Sequence, residues 1–95
     1  MSAFVFAFRN DPAVTATDEE LAAWGAWFQK LGPAVTDMGS RVGATRLVGA
    51  PAGSNALSGY SVVEAPDLAA ATALAEGCPG LSHGGSVEVG EVIPM

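Results

Sequence analysis

Cations, histidine and cysteine are the scarce residues of this chain. Among 95 residues, four are Lys or Arg, one is histidine (His83), one is cysteine (Cys78) and one is tyrosine (Tyr60). Ten Asp and Glu against those four cations set the net charge at -6. A nucleic-acid partner needs a basic stripe to neutralise phosphates, so nucleic acid is excluded as a partner. A polybasic anchor at a membrane surface is excluded for the same reason. No apolar run approaches the ~20 residues of a membrane span. The opening "MSAFVFAF" has no basic stretch before its apolar run, so a signal peptide is not expected and a cytoplasmic location is. One cysteine cannot close an intrachain disulfide. Cys78 also has no neighbouring cation and no CxxC partner, so it reads as a small buried hydrophobe in a reducing compartment. One His and one Cys cannot complete a closed metal shell, and no metal or other cofactor is expected.

What is present is apolar. The chain is 49% hydrophobic and only 15% charged. That is little charge for a small monomer, which has much surface to keep wet. A self-associating surface would account for it. The length corresponds to one domain, residues 1–95, with a modest core.

The apolar residues fall into alternating periods. In "AFVFAF" (3–8) Phe4, Phe6 and Phe8 alternate with Ala3, Val5 and Ala7, a strand apolar on both faces. After the loop "RNDPAVTA", "TDEELAAWGAWFQKLG" opens with a capping box, Thr17 to Glu20 and back. The acids at 18–20 suit the positive end of a helix dipole. Leu21, Trp24, Phe28, Leu31 and Val35 make one helical stripe. Gly25 lies at its edge, where a glycine predicts close approach of the helix to a sheet. Gly32 and Pro33 end the helix. Residues 43–49 read as a short second strand and "APAGSNALSG" as a turn-rich connection.

A third strand follows at 59–65, with Tyr60 and Val62 on one face and Ser61 and Val63 on the other. Asp67 caps a second helix whose inward residues are Leu68, Ala71, Thr72 and Ala75, and Gly77 and Pro79 stop it. The last strand is "SVEVGEVI". Its apolar phase slips after Gly90, which predicts a β-bulge there. The order strand, helix, strand, strand, helix, strand predicts an α+β, ferredoxin-like βαββαβ sandwich. Two helices cover only one face of four strands. The other face needs a partner, and a homodimer packing sheet on sheet is the simplest one.

The segment "GYSVVEAPDLAAATALAEGCPGLSHGGSVEVGEVIPM" resembles the C-terminal half of the YCII-related proteins, also called the DGPF-domain family. Its Gly59–Tyr60 strand start, alanine-rich helix, terminating "CP" and "GGSVEV" strand carry the likeness. The first half is similar too, through its apolar strand, the "DEELAAWGAWFQKLG" helix and a Gly-containing turn at Asp37–Gly39. The resemblance implies a dimeric α+β barrel. In some members it also implies a His–Asp pair as an active site, with the histidine on the first helix. That position falls at or near Trp24 here, so this histidine is absent. The Asp-Gly-Pro-Phe motif is absent as well.

Six side chains remain as candidates. His83 can act as a general base if a carboxylate orients it, and Asp37 is the carboxylate considered. The plainer reading of His83 is a solvated loop residue. Gly84 and Gly85 read as a tight entry to the last strand with positive φ, rather than as an anion nest. Trp24 reads as core or pocket wall. Trp27, at the margin of the stripe, reads as partly buried or as an aromatic lid over a ligand. Tyr60 and Arg46 are further ligand-binding candidates. Arg46 can either pair with Glu64 or Glu88 across the sheet or hold a ligand carboxylate, and Arg9 is a weaker polar candidate. The function expected is a dimeric module that binds a small, mostly apolar molecule or serves regulation or association. The alternative is a small cofactor-free enzyme of lyase, isomerase or monooxygenase type, using a pocket between helix and sheet.

Overall fold

A computed structural model describes residues 1–51 and 53–95. It contains β1 (Ser2–Asn10), α1 (Asp18–Leu31), β2 (Val35–Arg41), β3 (Ala56–Ala65), α2 (Leu68–Ala75) and β4 (Ser86–Glu91). Short 3₁₀ turns, Gly32–Ala34 and Pro79–His83, precede β2 and β4. The strands form one sheet in the order β2-β3-β1-β4, and every neighbouring pair is antiparallel. This is the α+β, ferredoxin-like arrangement read from the chain. No described helix is long and apolar enough to cross a membrane.

The central strand β1 sets the two faces. Phe4, Phe6 and Phe8 are buried on the helix side, while Ala3, Val5 and Ala7 are only partly covered. Alternation carries the same division into β3, where Gly59, Ser61, Val63 and Ala65 are buried and Tyr60 and Glu64 are exposed. In β4, Val87 and Val89 lie opposite Phe8 and Phe6. Fully burying a Phe or Val side chain contributes roughly 1.5–3 kcal/mol, and Phe4, Phe6 and Val63 are all fully buried.

The two helices approach this face differently. The backbone of α2 comes close to β1, β3 and β4, because its buried residues are Ala71 and Ala75. Leu68 and Thr72, expected inward, are exposed: the short helix turns only one alanine edge to the sheet. Helix α1 meets the sheet through large rings instead, with Trp27 and Leu31 buried. Trp27 stacks on Phe6 at 6.2 Å between centroids, and Trp24 meets Phe8 edge-on at 5.0 Å. So Trp27 is core rather than a lid. Leu21 is exposed, and Val35 belongs to β2 rather than to the helical stripe. Gly25 does not mark a close approach either, since nothing lies within 4 Å of a Cβ added there.

Three features of the sheet correct the sequence reading. The second strand is Val35–Arg41, and residues 43–49 form no strand. This strand was hard to read because it is an edge strand whose pairing slips twice, between Val35 and Asp37 and between Asp37 and Ser40. Its burial does not alternate. The third strand starts earlier than expected, at Ala56, inside the predicted connection at 50–59; Ala52 of that connection lies outside the described residues. Finally, β4 pairs with β1 in unbroken register through Gly90, so there is no bulge there. Val92 shares parity with Glu88 because it belongs to the outer face, where its N–H donates to the Ala3 carbonyl at 2.9 Å.

The irregularity lies elsewhere. Between Phe8 and Arg9 the register with β3 shifts, and Ser58 is the extra residue. In β2, Gly39 has φ +71° and its N–H donates to Asp37 Oδ1 at 2.8 Å. The turned backbone presents the Met38 carbonyl to the buried Ser61 hydroxyl, which donates to it at 2.7 Å. Gly84 has φ +82° and turns the chain into β4 as expected.

Gly→Ala substitution is expected to have opposite signs at two positions. A Cβ at Gly39 would lie 1.9 Å from the Tyr60 carbonyl oxygen, at a φ that L-residues rarely adopt. Gly39→Ala is expected to destabilise by more than about 1 kcal/mol. Gly25→Ala is expected to stabilise by about 0.5–1 kcal/mol, because the site is helical and open. Urea midpoints of the two variants check both signs.

Candidate functional site

Because α1 stands on large rings, a cleft stays open between its N-terminal half and the β2–β3 side of the sheet. A cavity of about 400 Å³ fills it. Phe8, Trp24 and Phe28 form its aromatic wall, and Leu21 and Met38 extend it. Its polar lining includes Glu20, Arg41 and Ser58. A second cavity of about 30 Å³ adjoins it, lined by His83, Cys78 and Arg9 among others, and shares Phe8, Asn10, Ala16, Glu20, Trp24 and Ser58 with the first. The first volume falls within the range of small-molecule pockets. The second has room for about one or two water molecules.

Glu20 is the residue common to the chemistry of both cavities, and its capping role hid it in the sequence. The Thr17 hydroxyl accepts the Glu20 N–H at 3.1 Å, as the capping box requires. The return half is different: the Glu20 carboxylate turns away from the cap and its Oε2 accepts the Trp24 indole N–H at 3.1 Å, one turn along the helix. Its other oxygen lies 3.7 Å from His83 Nδ1. The Glu20 side chain is 11% exposed and that of His83 45%. A nearly buried carboxylate thus faces a solvent-reachable imidazole at the mouth of the small cavity.

Asp37 cannot take that part. It sits on β2 and His83 leads into β4, at opposite edges of the sheet. Three interstrand spacings of ~4.8 Å put those edges about 14 Å apart. Asp37 is also held locally by the Gly39 N–H and lines neither cavity. Tyr60 pairs with Ala7 of the outer face and is exposed, and it is also among the residues that line the large cavity. Arg46 is exposed in the segment after β2 and lines neither cavity. Of the two partners considered for it, Glu64 and Glu88, the latter lies 3.6 Å from Arg9 instead.

The lining residues missed in the sequence owe their places to backbone irregularities. The bulge at Ser58 turns that residue to both cavities, and its hydroxyl donates to the Phe8 carbonyl at 3.1 Å. Arg41 pairs opposite Gly59, whose strand parity is that of the buried Ser61 and Val63. Residues directly opposite in an antiparallel pair share a face, so Arg41 projects on the cleft side. A capping box gives no hint of a second role for its glutamate, and neither bulge has a periodic signature.

A family model for the YCII-related domain matches residues 3–95. The chain belongs to the YCII-related domain family. No curated protein and no solved structure gives a significant match. The resemblance noted above implied a histidine on the first helix, near Trp24. In this YCII-related domain an imidazole reaches the neighbourhood of Trp24 from the turn before β4 instead, with Glu20 between them.

Cys78 of this YCII-related domain is a free, buried thiol. Burial pushes its thiol up from the ordinary value. The Gly80 and Leu81 N–H groups oppose that rise, and the nearby Glu20 charge adds to it. A raised pKa lowers the thiolate fraction, which is the reactive form. The sign for stability follows: the folded state holds this proton more tightly than the unfolded one. The contribution is therefore complete below the ordinary thiol pKa and is lost as pH climbs through the folded value. Iodoacetamide at neutral pH is expected to leave Cys78 unmodified in the native protein and to alkylate it in urea. Mass spectrometry reads the difference.

Proposed function

We propose that this protein is a homodimeric small-molecule-binding module whose ligand occupies the cleft between α1 and the β2–β3 side of the sheet. The observation that carries this reading is the cavity of about 400 Å³ with three aromatic rings in its wall. Such a wall removes apolar ligand surface from water, and a few polar groups at its ends orient the ligand. The cavity is not a packing defect of a small core. It exists because α1 is spaced by tryptophan and phenylalanine, whereas α2 is spaced by alanine.

The dimer reading rests on the outer face of the sheet. Ala3, Val5, Ala7 and Val62 lie there without a covering layer in the single chain, and Val92 continues the patch at 43% exposure. An antiparallel sheet that faced water would carry polar residues at these positions. Sheet-on-sheet packing of two copies buries them and leaves both clefts open on the helix sides.

A second reading is a cofactor-free enzyme, supported by the His83–Glu20 approach beside a water-sized cavity. In it Glu20 orients His83, and His83 moves a proton to or from a molecule in the adjoining cleft.

Sedimentation at micromolar concentration is expected to give a dimer for the wild type and a monomer for Val62→Asp. A wild-type monomer rejects the dimer. Nile red, a neutral apolar probe, is expected to bind one equivalent per chain, and Trp24→Ala is expected to weaken it about tenfold or more. Absence of binding by the folded wild type rejects the cleft reading. For the enzymatic reading, ligands that native mass spectrometry finds retained are incubated with wild type and His83→Ala. Chemical conversion by wild type that His83→Ala abolishes while still binding supports it, and conversion by neither rejects it.

A further inference from the structure

We infer that the cleft selects organic anions, and that its ligand is an apolar body bearing one carboxylate, held with the carboxylate at Arg41 and the opposite end toward Glu20. This rests on the cleft reading above and adds the chemistry of the ligand's two ends.

The inference starts from how few cations the chain has and where they stand. Of the four Lys and Arg, Arg9 faces Glu88 at 3.6 Å, Lys30 is in the last turn of α1, and Arg46 is exposed after β2. Arg41 is exposed as well, and it is the one of the four that lines the large cavity. Among the described residues no carboxylate lies within 4.0 Å of it, so its guanidinium has no ion-pair partner. The strand geometry aims it. It closes β2 directly opposite Gly59, on the buried face of β3. Gly59 has no side chain to occupy the space beside it: a Cβ there would meet the Arg41 Cα at 3.6 Å. That Cβ would also lie 3.0 Å from the Ser40 carbonyl oxygen, so a side chain at 59 would press on the β2 backbone that carries Arg41.

A second lining residue, Glu20, has the opposite character. Glu20 is nearly buried, and one of its oxygens is already engaged by the Trp24 indole N–H. A ligand anion placed against it would meet like charge in a site with little solvent screening. A ligand hydrogen-bond donor there meets an acceptor. The two groups therefore orient the ligand, with the acid at Arg41, an apolar body along Trp24 and Phe28, and at most a neutral donor at Glu20. The fork of a guanidinium suits a planar carboxylate through two parallel hydrogen bonds. The chain's net charge of -6 makes an anion site more telling, because the general field repels the ligand and only a local cation can select it.

The test uses three probes of one shape, 1-naphthoate, 1-naphthalenemethanol and 1-naphthylmethylamine, titrated into the full-length protein. Binding is followed by the NMR shift of the Trp24 indole N–H and by calorimetry. Naphthoate is expected to bind about tenfold or more tighter than the alcohol, a ratio appropriate to a charge-assisted bidentate contact. Arg41→Met is expected to bring naphthoate down to the affinity of the alcohol and to leave the alcohol unchanged. Gly59→Ala, tested for an unaltered fold by the rest of its NMR spectrum, is expected to weaken naphthoate selectively. Equal binding of acid and alcohol by the wild type overturns the inference while leaving the cleft reading intact. So does preference for the amine, which would make Glu20 the dominant group. Failure of all three probes to move the Trp24 resonance overturns the cleft reading and this inference together.

Discussion

The packing of α1 on β1 through aromatic rings is the constraint on which the rest depends. Phe6 and Phe8 project from the central strand toward Trp24, Trp27 and Phe28, and the rings meet at centroid distances of 5.0 to 6.3 Å. Edge-on and offset arrangements of this kind favour definite angles over simple contact. They hold the helix firmly but at a distance. Alanines do the reverse for α2, which lies close on the sheet. One face of one sheet thus carries a tight half and an open half, and the cleft is the open half.

Within that cleft the polar groups are few and each has a structural duty as well. Glu20 donates its N–H to the Thr17 cap of α1, accepts from the Trp24 indole with one carboxylate oxygen and faces His83 with the other. Ser58 is the bulge residue that lets β3 keep pairing with β1 and ties itself to the Phe8 carbonyl. Arg41 closes the edge strand. Removing any of them perturbs the fold slightly and the cleft more, because the walls are rigid rings and these are the groups that set its polarity.

The periodic parts of the fold were legible in the chain. The alternation at 3–8 and 59–65, the Thr17 and Asp67 caps and the glycine entry to β4 all stand where local chemistry placed them. What was misread lacked a period. β2 is an edge strand with two register slips, so neither its burial nor its composition alternates. Val92 looked out of phase only because its face was unknown. Of the site, Trp24 and His83 were named in advance. Asp37 reads in the chain as a carboxylate at a strand entrance, while the helix cap already accounts for Glu20.

The sequence by itself determined the class of fold and the scarcity of cations. Those follow from composition and from periods of two and 3.6 residues, which need no knowledge of distant contacts. Only the tertiary structure decided which residues share the cleft. Glu20 and His83 are 63 positions apart in the chain and 3.7 Å apart in space. Arg41 reaches the cavity side because two register slips set its pairing with Gly59. Registers and bulges are settled by the balance of many long-range contacts, and no short stretch of sequence encodes that balance.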